Sequence, residues 1–300
     1  MGTILFILFY GFTWLIAQVP LVIIHRFSEI TYLIAYYLVR YRRKIVRKNL
    51  INSFPNKTKK ELIRIEKKFY LHLCDLIFEN IFLLHASHKR ATKRCDFKNP
   101  DIFDELYEQK KSAILVSGHY GNWEIYALAK KYLKHTLIGV YKPLSNKRIE
   151  RMVNNSRIRF GSSITPVHKT LRTIVDHINR NDPFLIGLVA DQTPPAKEIQ
   201  YWTRFLSQDT AVYLGIEKIA KKFDLPVYFC NMRKIRRGKY EADFTLITSN
   251  PSALAPYELT NMHTRLLEEQ IVKEPEYWLW SHRRWKRKKP KNTETQTLQP

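Results

Sequence analysis

From Ile4 to Ile24 the chain runs for 21 residues without a charged side chain, ILFILFYGFTWLIAQVPLVII, and this run limits what the amino terminus can become. Wound as one helix it would extend about 32 Å at ~1.5 Å per residue, the thickness of one hydrocarbon core. A cleaved export signal is the alternative, but no lysine or arginine precedes the run and no small-x-small cleavage site follows it. The run reads as a membrane helix. A second apolar stretch, Ile30 to Val39, is too short to cross alone. With Tyr32, Tyr36 and Tyr37 it suits a segment lying along the interface or an extension of the first helix, and a helix packed inside the protein is the plainer alternative.

Charge is distributed to match. The chain carries 51 lysines and arginines against 27 acids, a net +24. Between Arg40 and Tyr70 stand twelve bases opposed only by Glu61 and Glu66, and between Ser281 and Lys291 seven more with no acid, so two short patches hold 17 of those charges. The first patch follows the apolar run, and the positive-inside bias then places the rest of the chain in the cytoplasm. Such patches fit an acidic lipid surface or an acidic protein, or serve simply as topological flanks and solvated faces. Their confinement argues against nucleic acid, whose single-strand binders line an aromatic stripe with charge. Trp278, Trp280 and Trp285 interleave with Arg283, Arg284 and Lys286, which suits a headgroup interface, although core packing explains Trp278 and Trp280 equally well.

Beyond the amino terminus the pattern is α/β. Thr58-x-x-Glu61 is a capping box that opens an amphipathic helix through Leu62, Ile65, Phe69 and Leu76. Strand-like runs follow at 113–117, 136–141, 184–190, 226–230 and 240–247. Helical patterns lie near 122–133, 146–159, 169–180 and 211–223, with a last helix from Pro256 to about Val272. This gives a membrane anchor and interfacial segment over 1–40, one catalytic domain over 41–290 and a polar tail over 291–300. Cys74, Cys95 and Cys230 are too few and scattered for a disulfide framework or a metal cage, and a reducing compartment follows.

The sharpest chemical feature is Ala113-Ile-Leu-Val-Ser-Gly-His-Tyr-Gly-Asn-Trp-Glu124. An apolar strand delivers His119 to a turn flanked by Gly118 and Gly121, and a helix pattern follows. Strand, turn and helix can fold Glu124 back onto the imidazole, fixing its tautomer and leaving the other nitrogen as a general base. Free backbone N–H groups of the turn could also hold an oxyanion. No GxSxG, GxxxxGK[ST], HExxH or paired CxxC occurs, so no serine hydrolase, P-loop or zinc chemistry is expected and no metal or organic cofactor is required.

At these residues the sequence resembles the glycerolipid and lysophospholipid acyltransferase superfamily with its H-x4-D/E motif, and within it the bacterial lipid A biosynthesis (lauroyl/myristoyl) acyltransferases. Tyr141-Lys-Pro with Asn146, Arg157 ahead of Gly161, Ala190-Asp-Gln192 and the block Pro275-Glu-Tyr-Trp-Leu-Trp-Ser-His-Arg-Arg-Trp-Lys286 follow in the family's order. The resemblance implies a glycerolipid-acyltransferase-like sheet flanked by helices. It also implies an inner-membrane enzyme, catalytic domain on the cytoplasmic side, that moves a fatty acyl chain from an acyl carrier protein (or CoA) thioester to a hydroxyl of a glycolipid. By the same resemblance His119 is the base and Glu124 its partner, while Asn122, Lys142, Arg157 and Asp191 meet substrate. Residue by residue, Arg157 can equally be a helix-surface arginine and Asp191 a strand-end turn residue. A different lipid acceptor, or a non-catalytic basic membrane-anchored binding protein, are the competing readings.

Overall fold

A computed structural model describes residues 2–290; the polar tail expected over 291–300 lies outside them, as does Lys291 of the second basic patch. The five-residue run Ala113–Ser117 is buried at every position, as a strand covered on both faces must be. In chain order the strands are β1 (Cys95–Phe97), β2 (Ala113–Ser117), β3 (Thr136–Tyr141), β4 (Ser163–Pro166), β5 (Phe184–Val189), β6 (Tyr201–Phe205), β7 (Gln208–Val212), β8 (Val227–Arg236) and β9 (Lys239–Thr248). Seven form one sheet in the order β1-β9-β8-β2-β5-β3-β4, and β6 and β7 pair separately as a hairpin. All neighbours in the large sheet are parallel except β8 with β9. Side-chain alternation splits the core: Leu115, Leu137 and Leu185 face one apolar cluster, and Ile114, Val116, Ile138 and Ile186 face the other.

The helices are α1 (Thr3–Gln18), α2 (Leu21–Leu33), α3 (Arg43–Ser53), α4 (Lys59–His85), the short α5 (His88–Thr92) and α6 (Asp104–Glu108), α7 (Lys147–Ile158), α8 (Thr170–Asn179), α9 (Gly215–Phe223) and α10 (Glu258–Lys273). The expected capping box is present: the Glu61 N–H donates to Thr58 Oγ1 at 3.3 Å, and the Thr58 N–H donates back to Glu61 Oε2 at 2.7 Å. The element after His119 is a 3₁₀ helix, Trp123–Tyr132. The helix expected from 211 begins only at Gly215, because Gln208–Val212 pairs with Tyr201–Phe205 as a hairpin.

The amino terminus departs from the single helix expected over Ile4–Ile24. The chain breaks at Val19-Pro20, where both residues are extended: Pro20 lacks an N–H and disfavours helical geometry before it. Among the described residues the helix long and apolar enough to cross a membrane is instead Leu21–Leu38, mean hydropathy 1.2, in which α2 runs on through a π turn, Ile34–Leu38. Both α1 and α2 pack on α4. The outer side of α1 exposes Ile4, Leu5, Ile7, Leu8, Phe12 and Trp14.

Part of the positive charge is structural. Arg43 Nε and the Arg47 guanidinium converge on the buried Glu66 carboxylate at 2.9–3.1 Å. Trp278 and Trp280 lie in the core, which overturns an interfacial placement for them, and Trp285 donates from Nε1 to Thr210 Oγ1 at 2.7 Å. Arg284 is buried too, its Nε and Nη1 without a partner among the described residues, and burial pushes it down to about 10.

Candidate active site

β2 and β5 are parallel neighbours with Ser117 opposite Val189. His119 and Asp191 each stand two residues beyond those paired ends, so strand register alone delivers them side by side at the carboxyl edge of the sheet. The His119 backbone N–H donates to Asp191 Oδ2 at 2.9 Å, and ring Nδ1 lies 2.6 Å from Oδ1. The carboxylate accepts only, so Nδ1 carries the proton and Nε2 presents a lone pair. Trp278 Nε1–H donates to Asp191 Oδ2 at 2.7 Å.

Burial of His119 favours its neutral form, but the Asp191 charge and hydrogen bond outweigh it, with Glu124 adding to them, and hold the imidazole above its ordinary 6.5. Asp191 is itself fully buried, which opposes ionisation, yet His119 and Trp278 bring it down to about 2. The Trp123 ring stands edge-on to the imidazole at 4.9 Å.

Glu124 does not make the expected ring contact. It takes both prongs of Arg157 on α7, Nε at 2.8 Å and Nη2 at 2.7 Å. The arginine fork matches a carboxylate in bidentate fashion, and Asp191 already occupies Nδ1. Arg157 is therefore an ion-pair partner of Glu124 in this state, and Asp191, which the residues alone allowed as a turn residue, is the group on the ring. Lys142 is exposed just past the end of β3.

Asn122 turns inward and away from the cleft. It is 1% exposed, and its Nδ2 donates to Glu79 Oε2 at 3.1 Å. Glu79, on α4, also accepts from the Tyr240 hydroxyl at 2.7 Å and the Gly238 N–H at 3.0 Å. Asn122 thus ties the His119 turn to α4. Asn122→Ala leaves a buried carboxylate with one donor fewer, which costs about 1–3 kcal/mol. A lower melting temperature and a reduced kcat with KM for the acceptor unchanged are expected; a raised KM alone would return Asn122 to substrate contact.

The glycines around His119 have separate reasons. A Cβ on Gly118 would sit 2.6 Å from Leu267 Cδ1; Gly121 has φ +58°, and a Cβ there would sit 2.8 Å from Met232 Sδ. The N–H groups of residues 119–122 are engaged: His119 with Asp191, Tyr120 with the Gly118 carbonyl, Gly121 with the Tyr277 carbonyl and Asn122 with Met232 Sδ. An oxyanion cradle cannot draw on those four while they are so bonded. The Tyr277 bond, with Leu279 N–H on the His119 carbonyl, also places the two sequence blocks that carried the resemblance against each other.

An apolar slot of about 120 Å³ opens on one face of the sheet, with Glu124 and Arg157 in its wall. Its floor is the in-register row Leu115, Gly187, Gly139 and Ile164 across β2, β5, β3 and β4. Two facing glycines leave out the side chains that would fill it.

A histidine with one nitrogen locked, set beside a slot shaped for hydrocarbon, suits removal of a proton from a hydroxyl that attacks an acyl group, and the class so defined is an acyltransferase. Residues 1–287 match the model of the bacterial lipid A biosynthesis acyltransferases, and the chain belongs to that family. It is similar to the lipid A biosynthesis lauroyltransferase of Escherichia coli (strain K12), at 21% identity over 281 residues, 92% of this chain and 89% of the relative. The lipid A biosynthesis palmitoleoyltransferase of the same organism and the lipid A biosynthesis acyltransferase of Shigella flexneri are each 21% identical over 278 residues, with the same coverage.

Sequence reasoning named His119, Glu124 and Asp191 but paired the first two. It missed Trp278 as a donor to Asp191 and Glu79 as the anchor of the turn. The neighbouring β2 and β5 bring together residues 72 apart in sequence, and no local pattern announces that pairing.

Proposed function

We propose that this acyltransferase moves a fatty acyl chain from an acyl carrier protein thioester to a hydroxyl of a lipid A precursor, at the inner membrane and on its cytoplasmic side. The observation that carries the reading is His119, oriented by Asp191, beside an apolar slot. His119 Nε2 takes the proton of the acceptor hydroxyl as its oxygen attacks the thioester carbonyl. The tetrahedral intermediate collapses, the C–S bond breaks, and the imidazolium returns the proton to the departing thiolate. Asp191 keeps the tautomer and stabilises the imidazolium. Glu124 holds Arg157 in the wall of the slot that takes the acyl chain.

The exposed apolar side of α1 and the Leu21–Leu38 helix support membrane attachment. Lys44, Lys48, Lys59, Lys60 and Arg64 stay exposed and suit an acidic carrier protein or anionic lipid, each adding about 1 kcal/mol near a charged bilayer. The test is incubation of the purified full chain in detergent with acyl carrier protein thioester and a lipid A precursor, read by mass spectrometry. A product heavier by one acyl group is expected, and cells lacking the protein should accumulate lipid A short of one chain. An unchanged acceptor in the first and an unchanged profile in the second would sink the proposal.

The glycine pair sets a further expectation. A Cβ at Gly187 meets nothing closer than the Ile138 carbonyl at 3.7 Å, so a side chain there enters the slot without strain. Gly187→Leu should shift preference toward shorter acyl donors by about tenfold or more, since each excluded methylene forfeits about 0.8 kcal/mol, with little change in melting temperature. Competing donors of two lengths in one reaction measure this; an unaltered product ratio would place the chain elsewhere.

A further inference from the structure

Acyl transfer needs a donor for the oxyanion that forms on the thioester carbonyl, and the N–H groups of residues 119–122 are engaged internally. Arg157 is spent on Glu124. A neutral side-chain donor stands next to the base. Gln192 Nε2 lies 3.2 Å from His119 Nε2, and because Nδ1 carries the ring proton, the amide must donate to the Nε2 lone pair.

Gln192 is held from both sides. Asp191 before it is fixed by His119 and Trp278. Thr193 after it donates from Oγ1 to the Arg283 carbonyl at 3.2 Å and to the Arg284 carbonyl, and its N–H reaches His282 Nε2 at 3.4 Å. The side chain between them is half-buried and springs from a backbone that cannot drift. Being uncharged, it does not compete with Asp191 for the imidazolium.

We propose that Gln192 is a catalytic residue: its carboxamide N–H rests on His119 Nε2 in the free enzyme and transfers to the thioester carbonyl oxygen when the acceptor hydroxyl claims that nitrogen. The step rests on His119 being the general base. As the hydroxyl oxygen bonds to the carbonyl carbon, its proton passes to Nε2 and the C=O π pair moves onto the oxygen facing the amide. Collapse returns that pair and breaks the C–S bond, Nε2–H protonates the departing thiolate, and the amide goes back to the freed Nε2 lone pair. A fixed donor of this kind acts only where charge develops, so its effect falls on kcat.

The test is steady-state kinetics on the full-length protein in detergent, with acyl carrier protein thioester as donor. Gln192→Ala should lower kcat by about 10²–10³-fold with KM for both substrates within a few-fold. Gln192→Asn, which keeps the donor one methylene short, should recover part of the loss, whereas Gln192→Glu, equal in size but without the donor, should not. The amide bond to Nε2 favours neutral imidazole, so Gln192→Ala should also move the acid limb of kcat/KM to higher pH. The other groups facing the ring are Asp191 from the β5 loop, Glu124 paired with Arg157, and His282, which burial keeps down near 4. Gln192→Ala within twofold of wild-type kcat, or a raised KM at unchanged kcat, overturns the proposal. Full turnover by His119→Ala overturns the base assignment on which it stands, a separate result.

Discussion

Asp191→Asn is expected to lower kcat by about 10³–10⁴-fold while leaving the protein folded. The size follows from what the carboxylate does: it fixes the proton on Nδ1, and it stabilises the imidazolium, and an amide in its place can present N–H to Nδ1 and select the wrong tautomer. Shape is preserved, since asparagine can still accept from the His119 N–H and from Trp278 Nε1 through its carbonyl oxygen. The pH dependence carries a sign. In the wild type His119 titrates above 6.5 because of Asp191, so kcat/KM should fall as pH drops through that raised value, where Nε2 becomes protonated. Without the charge the imidazole loses its reason to hold a proton, and the acid limb of the residual activity should move to lower pH. A pH–rate profile for each protein measures this; a limb that stays in place or moves upward would mean that Asp191 does not govern the base.

His119→Ala is expected to remove acyl transfer by at least about 10³-fold, because it takes away the imidazole nitrogen that accepts the proton of the attacking hydroxyl. Glu124 is bound bidentately by Arg157. Folding should survive. The side chain is 19% exposed, and Asp191 keeps the backbone N–H of residue 119 and Trp278 Nε1 after the ring is gone. Some stability is lost with the charge partner of a buried carboxylate, so the melting temperature should fall without loss of cooperativity. Product measured by mass spectrometry, beside a thermal melt of the same sample, separates the two effects; turnover near wild type would reassign the base.

Glu124 and Asp191 show how far a sequence motif reaches. The spacing of His119 and Glu124 around two glycines singled out the turn and put a carboxylate on the ring. It named Glu124, whereas the structure sets Asp191 there. Glu124 lies on a 3₁₀ helix that points it at α7, and its bond to Arg157 is a relation between segments 33 residues apart. Asp191 looked like a turn residue before Pro194-Pro195, and only the parallel register of β2 and β5 sets it against the imidazole. Asn122 belongs to the same motif as His119 yet serves the fold through Glu79.

The amino terminus teaches the same distinction. A count of uncharged residues marks 4–24 as apolar but treats Pro20 as one more member of the run, whereas the backbone treats it as a break. Composition likewise put Arg284 in a basic patch and left Trp280 between a headgroup interface and the core, and the core claimed both.

What the sequence by itself determined is what depends on short range: the α/β alternation, the capping box at Thr58, the strand that carries His119 to a glycine-framed turn, and the blocks that mark the family. Periodicity and turn chemistry act within a few residues and are legible there. What only the tertiary structure decided is which charge meets which: Asp191 and Gln192 on the imidazole, Arg157 on Glu124, Glu79 beneath Asn122, and the paired Gly139 and Gly187 that open the slot. Those relations are set by strand order and register, and a chain read from end to end does not contain the order in which its strands will lie.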